Sequence, residues 1–277
     1  MSNHIEFELS VLMPCLNESE TIGKCIEKSQ TQIKNLKLNA EIVVADNGST
    51  DGSINIAEKF GARIVHVKEK GYGNTLNEGI KNCKGKYIFI ADSDQSYDFN
   101  EIPNFYNKII EGFDLIQGCR LPSGNGKIEK GAMPITHRYI GNPIFTLMTK
   151  ILFGLPFDDI YCGMKIIKKE KFDKISIIST GMVFCLEILI KFIFNKYKTD
   201  QLPITLHKDG RIKNKSHLRT ISDGLKTLKF IIIFSPKQFF FIPSFIFALI
   251  SIFLVKDFFF YEKIIMLDDR KYLTSIL

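Results

Sequence analysis

Apolar and polar positions alternate with two different periods along the first half of the chain. Short apolar runs of β type occur at Leu9–Met13, Ile42–Ala45, Arg63–Val67, Tyr87–Ala91 and Leu115–Gln117. Between them, Glu20–Leu36, Ser53–Phe60, Asn74–Asn82 and Ile102–Glu111 space their apolar residues at helical intervals. Strands separated by helices predict βαβ units, hence an α/β domain whose mostly parallel sheet is flanked by helices on both faces. Such sheets bind ligands beyond the carboxyl ends of their strands, so the polar residues that follow each strand are the first candidates for chemistry.

Beyond Arg120 the pattern loosens. Leu121–Gly131, rich in Gly, Ser and Lys, reads as a mobile loop. Ile135–Phe153 is apolar with only Arg138 and Lys150 as formal charges, and Pro143 is expected to break or bend a helix there. It suits either a core helix or one lying in a membrane interface. Met182–Tyr197 reads as a helix, Leu202–Leu206 as a short strand and Leu218–Phe234 as an amphipathic helix. Phe239–Val255 is a run of 17 uncharged, almost wholly apolar residues. As a helix it would measure roughly 25 Å against a hydrocarbon core of ~30 Å, enough to cross a thinned bilayer or to dip in and return at Pro243. The remaining reading is a buried core helix. A boundary between a domain of residues 1–217 and a membrane-anchoring tail of 218–277 follows.

Charge and composition sharpen this division. The net charge is +7, and between Lys196 and Lys237 ten Lys or Arg face only Asp200, Asp209 and Asp223, an excess equal to that of the whole chain. A basic collar directly before an apolar segment is the pattern of a cytoplasmic membrane flank. With 45% hydrophobic and 24% charged residues among 277, the chain has material for a sizeable core and is not a disordered polypeptide. The six cysteines are scattered without a CxxC pair, which argues against a zinc site or a disulfide framework and for a reducing compartment. Met1–Leu12 lacks a basic start and contains Glu6 and Glu8, so no secretory leader is expected there.

Three polar clusters follow strands: Pro14-Cys15-Leu16-Asn17-Glu18, Asp46-Asn47-Gly48-Ser49-Thr50-Asp51-Gly52 and Asp92-Ser93-Asp94-Gln95. Each alone is a plausible turn or helix cap; together they fall on one edge of the sheet. Two carboxylates separated by one residue, Asp92 and Asp94, can share a hard divalent cation while leaving positions for water and phosphate oxygens. Glu18 and Asp46 are acceptor-only groups suited to base N–H or ribose hydroxyl donors. Gly71 and Gly73, beside Lys68 and Lys70, offer close backbone approach next to positive charge, as phosphates need. Position 76 is Leu, so the dinucleotide fingerprint fails, and no Walker GKS or GKT follows.

PCLNE, DNGSTDGS, ADSDQSYDF and GCR together resemble the family 2 glycosyltransferases of GT-A fold, and within them the polyprenyl-phosphate or dolichol-phosphate hexosyltransferases, over roughly Leu9–Ser235. The resemblance implies metal and diphosphate binding at Asp92 and Asp94, with Ser93 between them. It implies nucleotide contacts at Pro14, Asn17 and Glu18, and a base-binding acid at Asp46. GCR places Arg120. Asp159-Ile160-Tyr161-Cys162-Gly163-Met164-Lys165 resembles an acceptor-side segment, and Asp209-Gly210-Arg211 with Ser216-His217-Leu218-Arg219 a basic loop before the membrane part. Three positions depart from the pattern: Asn47 where many members have Asp, Lys165 where many have Arg, and Ser96 where a glutamine often stands.

The expected function is hexose transfer from a nucleotide-diphosphate sugar to a polyprenyl or dolichyl phosphate at the cytoplasmic membrane face, inverting and assisted by Mg²⁺ or Mn²⁺. An acceptor phosphate is already anionic, so positioning and charge compensation outweigh base catalysis. Arg120, Arg138 and Arg211 are the candidates for the acceptor phosphate, because a planar guanidinium binds phosphate oxygens bidentately. Asp159 is the candidate base should the acceptor be a glycan hydroxyl. A third reading is a catalytically silent, membrane-associated sugar-nucleotide-binding protein. Processive polysaccharide synthases are not expected, because their QxxRW signature needs tryptophan and the chain has none. The Phe-rich stretches read as core or membrane contacts, so nucleic acid is not an expected partner.

Overall fold

The computed structural model describes residues 6–212 and 220–256. Seven strands form one sheet: β1 (Phe7–Cys15), β2 (Ala40–Asp46), β3 (Arg63–His66), β4 (Gly85–Ile90), β5 (Leu115–Cys119), β7 (Lys165–Lys168) and β8 (Thr199–Pro203). Their spatial order is β3-β2-β1-β4-β7-β5-β8, all parallel except β7, which runs antiparallel to both β4 and β5. The five strands expected from periodicity are present. The antiparallel β7 was not foreseen. Leu202–Leu206 divides between β8 and β9 (Thr205–Leu206), the latter pairing with β6 (Lys127–Ile128) in a separate two-stranded sheet. Part of the stretch expected to be a mobile loop is therefore β-paired, because the Lys127 and Glu129 N–H groups donate to Ile204 and Leu206 carbonyls.

Helices cover the sheet as the sequence pattern requires. In α1 (Ile22–Leu36) the buried residues are Ile22, Cys25, Ile26 and Ser29, and in α4 (Ile102–Ile110) they are Ile102, Phe105, Tyr106 and Ile109, one stripe in each case. Phe89 of β4 meets the Phe105 ring edge-on at 5.5 Å, which pins α4 to the strand that carries Asp92. The remaining helices are α2 (Ser53–Lys59), α3 (Tyr72–Asn82), α5 (Asn142–Phe153), α6 (Lys169–Phe172), α7 (Phe184–Phe194) and α8 (Thr220–Phe234), followed by α9 (Lys237–Lys256). The chain returns from β3 to β4 on the far side of β1, so a topological switch point opens between the ends of β1 and β4.

Pro143 does not break its helix. A π-helical turn, His137–Gly141, leads directly into α5, with the Asn142 N–H donating to His137 O. The wider turn absorbs the residue that proline would otherwise disrupt. The same device, Lys237–Phe241, precedes Pro243, so α9 runs on as a helix instead of turning back. At 20 residues and mean hydropathy 2.3, α9 is about 30 Å long, the thickness of a hydrocarbon core. The chain forms two compact units, Met1–Leu228 and Lys229–Leu277. The boundary expected at 217/218 lies outside the described residues.

Candidate active site

The end of β1 is built around Asn17 in the left-handed region, with φ of 60°. Asn17 Oδ1 accepts from the Thr50 N–H at 2.8 Å while its own N–H donates to Ser49 Oγ, which ties the first strand end to the second. Asp46 is buried at the end of β2, accepting from the Ser49 N–H at 2.9 Å and lying 3.4 Å from His66 Nδ1. Asn47 donates to the Val67 and Glu69 carbonyls and accepts the Gly71 N–H. An aspartate could not make those two donations, so this departure from the family pattern is a local structural solution. Ser93 Oγ donates to Pro14 O at 2.7 Å, fastening the end of β4 to that of β1.

Glu18 and Asp94 meet at the switch point through Arg211, and Asp92 lies within electrostatic reach of Asp94. The Tyr72 hydroxyl donates to Asp92 Oδ1 at 2.8 Å. Burial, reinforced by neighbouring Asp94, pushes the Asp92 carboxyl up to about 6 against the opposing pull of Tyr72, Lys165 and Arg120. Glu18 rises to about 7, chiefly through burial, which outweighs the stabilising Arg211 charge. Arg211 sits among these acids: Nη1 donates to Glu18 Oε1 at 3.0 Å, Nη2 to Asp94 Oδ2 at 3.3 Å, and Nε to both Asp209 oxygens. Its guanidinium is carried by a strap that crosses the Asp94 turn through His207 N–H to Ser96 O and Gly210 N–H to Asp94 O. The strap then reaches Glu20 through the Ile212 N–H.

A divalent cation fits this donor set. The cluster offers hard carboxylate oxygens without sulfur or imidazole, and the chain itself seats a cation, the Arg211 guanidinium, against Glu18 and Asp94. Among the described residues no group of three or more His, Cys, Asp or Glu side chains is placed to hold a metal ion by itself. Asp92 and Asp94 would thus leave most of the coordination sphere to phosphate and water.

On the acceptor side Arg120 and Asp159 are committed to each other. Arg120 Nε and Nη2 donate to the two Asp159 oxygens at 2.7 and 2.9 Å, and the Arg120 and Tyr161 N–H groups add two more donors. Asp159 is fully buried. In this arrangement neither a free base at Asp159 nor a free anion ligand at Arg120 is presented to the cleft. Arg138 instead lines a cavity of about 480 Å³ with Lys127, Glu129 and Thr205, and its buried Nε has no hydrogen-bond partner. Gly71 and Gly73 are also placed differently from expectation. A Cβ on either would meet Thr180 or Ser179 carbonyl oxygen at 2.3–2.4 Å, and the Gly73 N–H donates to Thr180 O. The close approach is to the chain's own 179–181 backbone, held by Glu187 of α7 through the Ile178 and Ser179 N–H groups. Ser93 likewise spends its hydroxyl on Pro14.

Four residues carry roles that the sequence did not assign to them. Tyr72 orients Asp92. The Tyr97 hydroxyl accepts the Gly163 N–H at 2.8 Å, and a Cβ on Gly163 would lie 2.8 Å from Asp92 Oδ2. Lys165, fully buried, donates to the Cys162 and Gly163 carbonyls at 2.7 and 3.1 Å and so fixes the turn behind Asp92. Asp209 shares Arg211 with the cleft acids. The single glycine of Cys162-Gly163-Met164-Lys165 was the available signal for the close approach at Gly163.

The family model described as glycosyl transferase family 2 matches residues 10–176. The chain belongs to glycosyl transferase family 2. A low-salt glycan biosynthesis hexosyltransferase of Haloferax volcanii is 32% identical over 246 residues, 88% of this chain and 58% of that relative. The chain therefore spans little more than half the length of that glycosyltransferase. A dolichyl-phosphate hexose transferase of the same organism is 28% identical over 207 residues, covering 74% of this chain and 85% of the relative. Among solved structures, glucosyl-3-phosphoglycerate synthase from Mycobacterium tuberculosis, in complex with Mn²⁺, uridine diphosphate and glucosyl-3-phosphoglycerate, superposes with a TM-score of 0.64 at 18% identity. That alignment covers 83% of this chain and 80% of the synthase, and establishes a shared GT-A fold.

Proposed function

We propose that this glycosyltransferase moves a hexose from a nucleotide-diphosphate sugar to a polyprenyl or dolichyl phosphate at the cytoplasmic face of a membrane, with inversion. The observation that carries the proposal is the meeting of Glu18 and Asp94 at the switch point around a guanidinium the chain supplies itself, with Asp92 two residues before Asp94. A lipid acceptor is supported by α9, which is uncharged and almost wholly apolar between its terminal lysines and unburied, and by its likeness to a dolichyl-phosphate hexose transferase.

In this mechanism Asp46, Asn17, Glu18 and the Pro14 turn form the nucleoside side of the cleft. Asp92 and Asp94 would hold Mg²⁺ or Mn²⁺, which when bound would supply Lewis-acid compensation for charge on the departing diphosphate. Tyr72, Gly163 and Lys165 keep Asp92 in place without reacting. Arg211 exchanges its carboxylate partners for phosphate oxygens as the donor enters, a charge-assisted contact of the same geometry. Arg138, with an unspent Nε–H, meets the acceptor phosphate. That phosphate attacks as an anion, so no general base is needed, in keeping with an Asp159 whose oxygens are both engaged by Arg120. Arg120 and Asp159 brace the turn between β5 and β7.

The test is incubation of membranes containing the chain with labelled sugar nucleotides. Label in a mild-acid-labile product that partitions into organic solvent is the expected outcome. Label in a water-soluble, acid-stable glycan would move the assignment to a hydroxyl acceptor, and no transferred label would favour a binding protein.

A further inference from the structure

Register aligns Cys15, Asp46 and His66 across the carboxyl ends of β1, β2 and β3. Partners on neighbouring parallel strands carry their side chains on one face of the sheet, so the three stand in a row. The row runs from the interior to solvent: Cys15 and Asp46 are buried, whereas the His66 side chain is 71% exposed. Asp46 spends Oδ1 on the Ser49 N–H at 2.9 Å, and its Oδ2 faces His66 Nδ1 at 3.4 Å. A carboxylate only accepts, so this contact puts the imidazole hydrogen on Nδ1. At 3.4 Å the bond is long, and the Nδ1–H has room for a second acceptor. The fold does not need the imidazole: β3 is held to β2 by backbone, and the Val67 N–H donates to Asp46 O at 2.8 Å.

Asp46 Oδ2 and His66 Nδ1 therefore present an acceptor and a donor side by side on the nucleoside side of the cleft. That pair matches one kind of base edge. Uracil offers N3–H beside C4=O, and guanine N1–H beside C6=O, each a donor next to an acceptor. Cytosine and adenine offer a ring nitrogen lone pair beside an amino group, the reverse order. Against the reverse order the Asp46 carboxylate meets a lone pair and the His66 N–H meets an amino hydrogen, two repulsions at once. We propose that His66 is a specificity residue of the nucleotide site: its Nδ1–H donates to the keto oxygen of a uracil or guanine whose ring N–H is accepted by Asp46. The inference rests on the nucleotide-sugar reading of the proposed function. It adds which bases the donor carries and gives a role to an exposed histidine that the fold itself does not require.

The test is calorimetric titration of uridine, guanosine, cytidine and adenosine diphosphates, each with Mn²⁺, into the detergent-solubilised chain and into H66A and H66N. Asparagine carries an amide N–H close to where the imidazole has Nδ1–H, and a side chain this exposed can be replaced without unfolding the chain. The expected result is binding of the uridine or guanosine nucleotide, with the cytidine and adenosine nucleotides roughly a hundredfold weaker. The tighter of the first two names the base. H66A weakens that nucleotide about tenfold and leaves the cytidine and adenosine nucleotides unchanged, and H66N recovers most of the loss. Cytidine or adenosine diphosphate bound as tightly as either keto nucleotide overturns the inference. So does an H66A that changes nothing or weakens all four alike, or an H66N as weak as H66A; the proposed function survives each of these results. No binding of any of the four by the parent chain removes the proposed function and the inference together.

Discussion

Replacing Asp159 by Asn separates a brace from a base. The carboxylate is fully buried and accepts from Arg120 Nε, Arg120 Nη2 and two backbone N–H groups between 2.7 and 3.2 Å. Asn keeps the volume but turns one acceptor into a donor aimed at a buried guanidinium, leaving a charge without its counterion. Breaking one half of a buried ion pair costs about 3–5 kcal/mol. With a urea slope of roughly 2 kcal/mol/M, a loss of ~3 kcal/mol lowers the unfolding midpoint by about 1.5 M. Urea titration of the detergent-solubilised chain by circular dichroism reads this shift. The double variant Arg120→Met with Asp159→Leu, which removes both charges, recovers most of the loss. A general base contributes some 10²–10⁴-fold to turnover. If D159N unfolds within ~1 kcal/mol of the parent while turnover falls by that factor, the brace is refuted and Asp159 is the base.

Other consequences are equally direct. Arg211→Gln empties the guanidinium from between Glu18 and Asp94, so Mn²⁺ affinity of the nucleotide-free chain rises about tenfold, ~1.4 kcal/mol, while donor turnover falls; unchanged affinity in a calorimetric titration would show that the two cations do not compete. Gly163→Ala drives a Cβ to 2.8 Å from Asp92 Oδ2 and costs about 1–3 kcal/mol, read as a melting drop of roughly 2–4 °C per kcal/mol. An unshifted melting point would show that the turn yields freely. Because Asp92 titrates near 6 and Glu18 near 7 in the folded chain, cation binding strengthens with rising pH through this window and levels above it. The same two groups bind protons more tightly folded than unfolded. Their contribution to stability is therefore greatest below the ordinary carboxylate pKa and is lost as pH rises through 6 and 7. A Mn²⁺ affinity flat between pH 5 and 8 would contradict both assignments.

Local pattern carried the parallel part of the fold because each of β1 to β5 is a continuous apolar run between amphipathic helices, and strand-end acids announce themselves by position. What stayed hidden depends on partners distant in the chain. β7 is a four-residue strand inserted between β4 and β5, and nothing in KIIK says that it runs backwards. Gly73 reads as a phosphate cradle until Thr180 is seen filling the space beside it. Arg120 and Asp159 each look like chemistry, and only their mutual hydrogen bonds across 39 positions show that they neutralise one another. Pro143 and Pro243 read as helix breakers because composition does not reveal the π turns that admit them.

Donor capture is expected to depend on Asp92 and Asp94 gripping the diphosphate through a divalent ion. Calorimetric titration of uridine and guanosine diphosphates into the chain and into D92N/D94N, with and without Mn²⁺, measures this directly. The prediction is tight, Mn²⁺-dependent binding of one nucleotide by the parent and loss of the Mn²⁺ dependence in the double variant. Equal Mn²⁺-dependent affinity in both proteins would contradict it.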